Sequence, residues 1–217
     1  TDMTINELYE QPKFLCSNCL WGYEYLTLRD EFYTAKRNIF QERIQEVLII
    51  FGGSDQNNLT LVALKSIGKI CSDLKIKINI VIGPGYAWKD SLKEYIKTCD
   101  YDNIVIHFST KTVSMIMEKC QLAISSNGRT VYELADMNIP SIVISHHKRE
   151  DSHTFSTYEK GFINLGVVSK YTLSEIEKNF YKLVKDNSVR EKLLVNIEKY
   201  NFRENKKMMV GKILDLL

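Results

Sequence analysis

Two short turns hold the residues of this chain best suited to chemistry. FGGSDQNN, residues 51–58, follows an apolar run and leads into a helical pattern, and SSNGRT, residues 125–130, does the same further along. A small-residue turn at a helix N-terminus leaves backbone N–H groups unpaired at the positive end of the helix macrodipole, and glycine allows close backbone approach. That chemistry suits a phosphate. Neither turn is a GxGxxG or Walker sequence, so the nicotinamide and P-loop readings lose support. A strand-to-helix glycine turn without a ligand accounts equally well for either turn taken singly; their pairing is what favours a ligand.

Glu133 lies in the first turn of the helix that follows SSNGRT. A carboxylate there either complements the dipole, contributing roughly 0.3–1 kcal/mol, or accepts two hydrogen bonds from a ribose diol. Spacing alone leaves both open. SHHKREDSHTFS, residues 145–156, gathers three of the four histidines with Lys148, Arg149, Glu150 and Asp151. It suits a solvated loop or a polar lip on a ligand site better than a metal, because adjacent His146 and His147 point in different directions on most backbones. His107, inside an apolar run, is expected to be a satisfied core histidine. CSNC, residues 16–19, is a lone CxxC with no second ligand pair at finger-like spacing, which argues against zinc. There is no GxSxG elbow and no pair of carboxylates that stands out as an acid/base couple.

The elements that must position these turns are regular from residue 46 onward. Apolar runs at 46–51, 76–82, 103–108, 122–125, 141–145 and, more weakly, 163–168 read as strands. Helical patterns over 59–74, 88–99, 110–120, 130–137 and 152–160 lie between or beside them, and three more, near 173–185, 188–200 and 204–217, close the chain. Most of the strands lack in/out alternation, which suits burial on both faces, and the βαβ rhythm implies a parallel sheet. The fold class is α/β, a Rossmann-like doubly wound parallel sheet. In the common strand order 3-2-1-4-5-6, the first and fourth strands are neighbours at the switch point, so both turns face one crevice. The run at 76–82 alternates at its start and is expected nearer an edge. Residues 1–45 lack a sustained period and read as an N-terminal arm or connector to the domain at 46–217.

At 217 residues and 44% hydrophobic content the chain can bury a sizeable core. Lys and Arg number 29 against 27 Asp and Glu, a net charge of +2 that gives no reason to expect nucleic acid as a partner. No apolar run approaches the roughly 18–20 residues of a transmembrane helix, and the polar N-terminus is unlike a signal peptide, so the expected location is cytoplasmic. Five dispersed cysteines fit reduced thiols. A start at Thr1 rather than Met suggests a chain cut from a longer protein.

Five segments carry a family resemblance: GYEYLTLRDEFY, IIFGGSDQNNLT, VIGPGY, LAISSNGRTVYELADMNIPSIVI and TYEKGFINLGV. Together, over roughly residues 21–168, they resemble the C-terminal half of the pseudaminic-acid pathway UDP-sugar hydrolases, which act on UDP-2,4-diacetamido-2,4,6-trideoxy-β-L-altropyranose, and the SpsG-like polysaccharide-biosynthesis proteins. The likeness extends more distantly to the C-terminal domain of the lipid II GlcNAc transferase. It implies a GT-B architecture, in which two Rossmann-like domains share a nucleotide sugar held mainly by the second. On that resemblance Gly52, Gly53 and Ser54 match the first phosphate-side turn, and Asn127, Gly128, Arg129 and Thr130 the second. Glu133 matches the acid that binds the ribose hydroxyls, which favours the functional reading of that residue. Phe108 and Ser109 fall at the uracil, and Asp151, Ser152 and His153 at the sugar.

The resemblance implies UDP or a UDP-sugar as ligand. No cofactor is expected, and no metal, since helix N-termini and Arg129 can carry the diphosphate charge. The family's catalytic histidine lies in a glycine-rich loop of an N-terminal domain, which this chain lacks. The catalytic residues are therefore expected on a missing N-terminal domain or partner subunit, and the chain alone is expected to bind without turnover. The alternatives are a donor-binding domain of a GT-B glycosyltransferase or a non-catalytic domain fused to a cytidylyltransferase. Three departures stand out: Asn127-Gly128-Arg129 replaces a small-residue turn, the lip at 145–156 is longer and more charged than in the lipid II enzyme, and CSNCLWGYEY replaces a shorter turn.

Overall fold

The computed structural model describes residues 3–12, 14, 18–99 and 101–215. Its centre is a sheet of six parallel strands: β3 (Glu46–Ile50), β4 (Lys77–Ile82), β5 (Ile104–Phe108), β6 (Leu122–Ser126), β7 (Ser141–Ser145) and β8 (Phe162–Val167). They lie in the order β5-β4-β3-β6-β7-β8, so the order reverses between β3 and β6, as the doubly wound pattern requires. A separate short ladder pairs β1 (Thr4–Asn6) with β2 (Cys19–Trp21).

The apolar runs are explained by two cores. Val47 and Ile49 of β3 face one cluster with α1 (Leu59–Leu74) and α6 (Thr172–Lys185). Leu48 and Ile50 face the other, with α3 (Val113–Met117) and α4 (Thr130–Asp136). Alternate residues of β3 thus enter opposite cores, and the strand has no exposed polar stripe. The remaining helices are α2 (Lys89–Thr98), α5 (Lys148–Asp151), α7 (Asn187–Ile197) and α8 (Asn205–Leu214).

The N-terminal segment is packed, not loose. Leu26, Leu28, Phe32 and Ala35 are buried in the second cluster, and a fully buried phenylalanine contributes about 1.5–3 kcal/mol. Asp136, wholly buried at the end of α4, binds Arg37 Nη2 at 2.7 Å and Arg203 Nε at 3.0 Å, joining this segment to the C-terminal region. Arg190, buried without a carboxylate partner among the described residues, donates to the carbonyls of Leu183, Gln41 and Glu42. Five carbonyl and amide acceptors in all surround its guanidinium.

Several expectations need correction. The helix expected over 152–160 does not form: α5 ends at Asp151, residues 153–157 are irregular, and only Tyr158–Lys160 makes a 3-10 turn. Burial of Phe155 and a hydrogen bond from Ser156 to Asn127 hold that stretch against the core. The helix expected over 110–120 shortens to Val113–Met117. β4 does lie near an edge, second from it, and the edge itself is β5, whose Val105, Ile106 and Phe108 are exposed. Cys19 is disulfide-bonded, against the expectation of reduced thiols. Cys16 lies outside the described residues, while Cys71, Cys99 and Cys120 are free. His107 is half-buried on β5 and satisfied, with Nε2 3.1 Å from Asn79 Oδ1. Burial pushes its pKa down, aided by Lys77.

Candidate functional site

The first turn leaves β3 through Gly52, whose φ of +74° lies in the region that glycine enters without steric cost. The next turn, after β4, rests directly on it. A side-chain carbon added at Gly83 would stand 2.5 Å from both Cα and the carbonyl oxygen of Gly53, and Gly85 N donates to that same oxygen at 3.0 Å. The glycines of VIGPGY therefore allow two backbone turns to touch. Asp55, only 3% exposed, accepts from Leu59 N at 2.7 Å and Thr60 N at 2.8 Å. The N-terminus of α1 is thus occupied by the chain's own carboxylate.

Beyond β5, Ser109 adopts φ +47° while its N–H donates to Ile82 O at 2.9 Å. That bond extends the ladder by one residue and turns the chain over the carboxyl end of the sheet. Between these turns and α4 opens a cleft of about 360 Å³, lined by Gly52, Gly53, Ser109, Thr130, Glu133 and Arg29 among others. A larger depression of about 670 Å³ sits at the amino end of β4 and β5, by Lys75, Lys77 and Asn103. Ligands of open α/β sheets bind at the carboxyl ends of strands, so the smaller cleft is the candidate.

Glu133 is the acid of this cleft, and its side chain is 13% exposed. Arg29 grips it with two prongs, Nε to Oε1 at 2.9 Å and Nη2 to Oε2 at 3.2 Å. Arg29 Nη1 also lies 2.9 Å from Glu31 Oε1, and Glu31 Oε2 accepts from Ser114 N at 2.8 Å. A chain of one backbone hydrogen bond and two ion pairs therefore runs from α3 to α4 through the arm. Burial pushes the Glu133 carboxyl above its ordinary value, and the hydrogen bond and charge of Arg29 offset only part of that.

The remaining expected residues do not line this cleft. Phe108, at the end of β5, is 52% exposed, with Lys89 Nζ 4.2 Å from its ring centroid. Arg129 points outward and pairs with Glu7. Asn127 is fully buried and tied to the turn after β7. In that turn Asp151 Oδ1 accepts from Ser145 Oγ at 3.1 Å, Ser152 Oγ donates to Arg149 O at 2.7 Å, and His153 Nδ1 lies 2.6 Å from Asn127 O. Gly52, Gly53, Ser109, Thr130 and Glu133 come together in one cleft; Ser54, Phe108, Asn127, Gly128, Arg129, Asp151, Ser152 and His153 are not among its lining residues. No three histidine, cysteine or acidic side chains converge as a metal site among the described residues. Nor is any helix among them long and apolar enough to cross a membrane.

Arg29 was not anticipated as a site residue. It lies in LTLRDEFY, 104 positions before its partner, and its one local signal is an arginine beside acids in a segment otherwise spent on packing.

No protein-family model matches the chain. Over 152 residues, 70% of its length, the chain is 31% identical to a pseudaminic acid cytidylyltransferase and UDP-2,4-diacetamido-2,4,6-trideoxy-β-L-altropyranose hydrolase of Helicobacter pylori. Over 129 residues, 57% of its length, it is 33% identical to an uncharacterised protein of Methanocaldococcus jannaschii. In each case the match covers 26% of the relative, so the chain spans about a quarter of the length of these curated proteins. Among solved structures, the pneumococcal O-GlcNAc transferase GtfA, in complex with UDP and GlcNAc, aligns with 99% of this chain and 45% of its own at a TM-score of 0.61 and 14% identity. The chain thus has the α/β, Rossmann-like fold of one half of a GT-B protein.

Proposed function

We propose that this chain is the nucleotide-sugar-binding half of a cytosolic UDP-sugar hydrolase, serving the synthesis of a sialic-acid-like sugar such as pseudaminic acid or of a surface polysaccharide. The observation that carries the reading is the position of Glu133: a largely buried carboxylate in the first turn of α4, at the switch point of the sheet, lining one cleft with the Gly52-Gly53 turn. An ionised carboxylate has about four lone-pair sites. Arg29 takes two of them, which leaves two for a ribose diol.

In this reading residues 46–217 form the nucleotide-binding domain, and residues 1–45 connect it to the missing half. Gly52, Gly53 and the backbone at 128–130 hold the diphosphate, Phe108 and Ser109 the uracil, and Asp151, Ser152 and His153 the sugar. Hydrolysis breaks the C–O bond between sugar and UDP, with water as nucleophile and UDP as leaving group. Binding here fixes the substrate's orientation, and the other half or a partner subunit completes the cleft and supplies the base.

A donor-binding domain of a glycosyltransferase is the second reading, favoured by the fold shared with GtfA. A partner chain that restores sugar transfer, and not UDP release to water, would select it. The test of the nucleotide site itself is a calorimetric titration with UDP, with CMP as control and Glu133→Ala as a second sample. Saturable UDP binding that falls at least tenfold in the variant is the expected result. Equal affinity for UDP and CMP, or a variant that binds UDP like the wild type, would overturn it.

A further inference from the structure

Asn127 stands just beyond β6, yet its side chain is turned inward and fully buried. Its Nδ2 donates to the carbonyls of Glu150 at 3.0 Å and His153 at 3.2 Å, and its Oδ1 accepts from Ser156 Oγ at 2.7 Å. Ser156 Oγ is itself held by Asn164 Nδ2 at 2.9 Å. Both amide hydrogens are therefore spent on the turn after β7. His153 closes the loop from the other side, with Nδ1 2.6 Å from the main-chain oxygen of Asn127. A carbonyl oxygen can only accept, so Nδ1 carries a proton, and in the neutral ring Nε2 is left as an acceptor. No hydrogen-bond partner of Nε2 occurs among the described residues.

We propose that Asn127 is a positioning residue and not a phosphate ligand: it clamps the turn at 146–153 to the β6–α4 turn and fixes the His153 ring in the tautomer that leaves Nε2 as an acceptor. The proposal rests on the nucleotide-sugar reading and revises the role expected of Asn127 within it. Truncating a buried amide of this kind leaves two carbonyls and a hydroxyl without their partner. The loss falls on the geometry of the turn, because no donor of the side chain is free to reach a phosphate.

The test records ¹⁵N spectra of the imidazole rings at alkaline pH, together with UDP titrations, on the whole chain as wild type, Asn127→Ala and Ser156→Ala. The expected wild-type pattern for His153 is a protonated Nδ1 and a bare Nε2. Both variants should shift His153 toward a mixture of tautomers while the UDP dissociation constant stays within about threefold. A side chain donating to a charged phosphate would instead cost roughly tenfold or more. A wild-type His153 protonated on Nε2 would overturn the proposal, as would a tenfold loss of UDP affinity in Asn127→Ala with the His153 signals unchanged. Should Asn127→Ala fail to fold, Ser156→Ala decides, since it removes one arm of the clamp and no candidate ligand contact; unchanged imidazole signals there would sink the idea. A wild-type chain that binds no UDP overturns the nucleotide reading alone, and the imidazole signals still judge the clamp.

Discussion

Arg29 and Glu133 form a two-pronged ion pair across 104 residues of sequence, with contacts of 2.9 and 3.2 Å. Its two members differ in environment: the Arg29 side chain is 48% exposed and that of Glu133 13%. The acid is the constrained partner, and the arginine reaches it from the arm. Arg29→Ala should therefore cost little stability, within about 1 kcal/mol, as for a pair with one exposed member. It should nonetheless weaken UDP binding about five- to tenfold, because the carboxylate loses the group that orients it. Arg29→Lys should recover little of that loss, since an ammonium cannot reproduce the fork. Thermal unfolding and calorimetry on the two variants check both parts, and wild-type UDP affinity in Arg29→Ala would refute the orienting role.

The contact between the turns after β3 and β4 makes a second prediction. Gly83→Ala places a methyl group 2.5 Å from the Gly53 backbone, a distance no rotamer change can relieve. One of the two turns must move, at a cost of about 1–3 kcal/mol. Since Gly53 lines the cleft, UDP affinity should fall together with the urea midpoint. A variant that loses neither would mean that the two turns separate freely.

Asp136 tests how the arm is held. Its wholly buried carboxylate is shared by Arg37 and Arg203. Asp136→Ala leaves two partly buried guanidinium groups without their counter-charge, and breaking a buried pair from one side costs about 3–5 kcal/mol. Urea unfolding should show a loss of that order. Below the transition the variant should still bind UDP, because no atom of Asp136 lines the cleft. Loss of UDP binding by the folded variant would link the arm to the site more tightly than this network implies.

The sheet was legible in the sequence because each of its strands is short, apolar and bounded by turns. α1, at Leu59–Leu74, coincides with its expected span because one apolar face runs its whole length against β3, β4 and α6. The stretch at 152–160 was misread because what decides it is not local. Ser156 is held by Asn127, 29 residues earlier, and Phe155 by aromatic rings at Tyr132, Tyr200 and Phe202. Helical periodicity cannot register contacts of that kind. The same limit hid Arg29: an ion pair spanning two separate elements leaves no pattern in either. Glu133 could be found from its place at a helix start, but its spacing could not distinguish a cap from a ligand.

The pH dependence of the cleft follows from the sign of the Glu133 shift. Burial holds this carboxyl's folded pKa above its ordinary value, despite Arg29. On acidification the folded acid therefore takes up its proton before an ordinary carboxylate would. A protonated acid offers the ribose fewer acceptor sites, so UDP binding should begin to weaken at a pH above the usual carboxylate range. Stability runs the opposite way. Below the ordinary value the group is protonated in both states and makes no difference. As pH rises from there, the unfolded chain loses the proton first, and the folded state pays an increasing penalty until the folded pKa is passed, after which the penalty is constant. Glu133→Gln abolishes that titration. Its stability should fall less than that of the wild type as pH rises through this window, while its UDP affinity should be low and independent of pH there. Parallel UDP titrations and urea unfolding across the acid range separate the two effects, and a wild-type affinity that weakens only within the ordinary carboxylate range would show that Glu133 is ionised like an exposed acid.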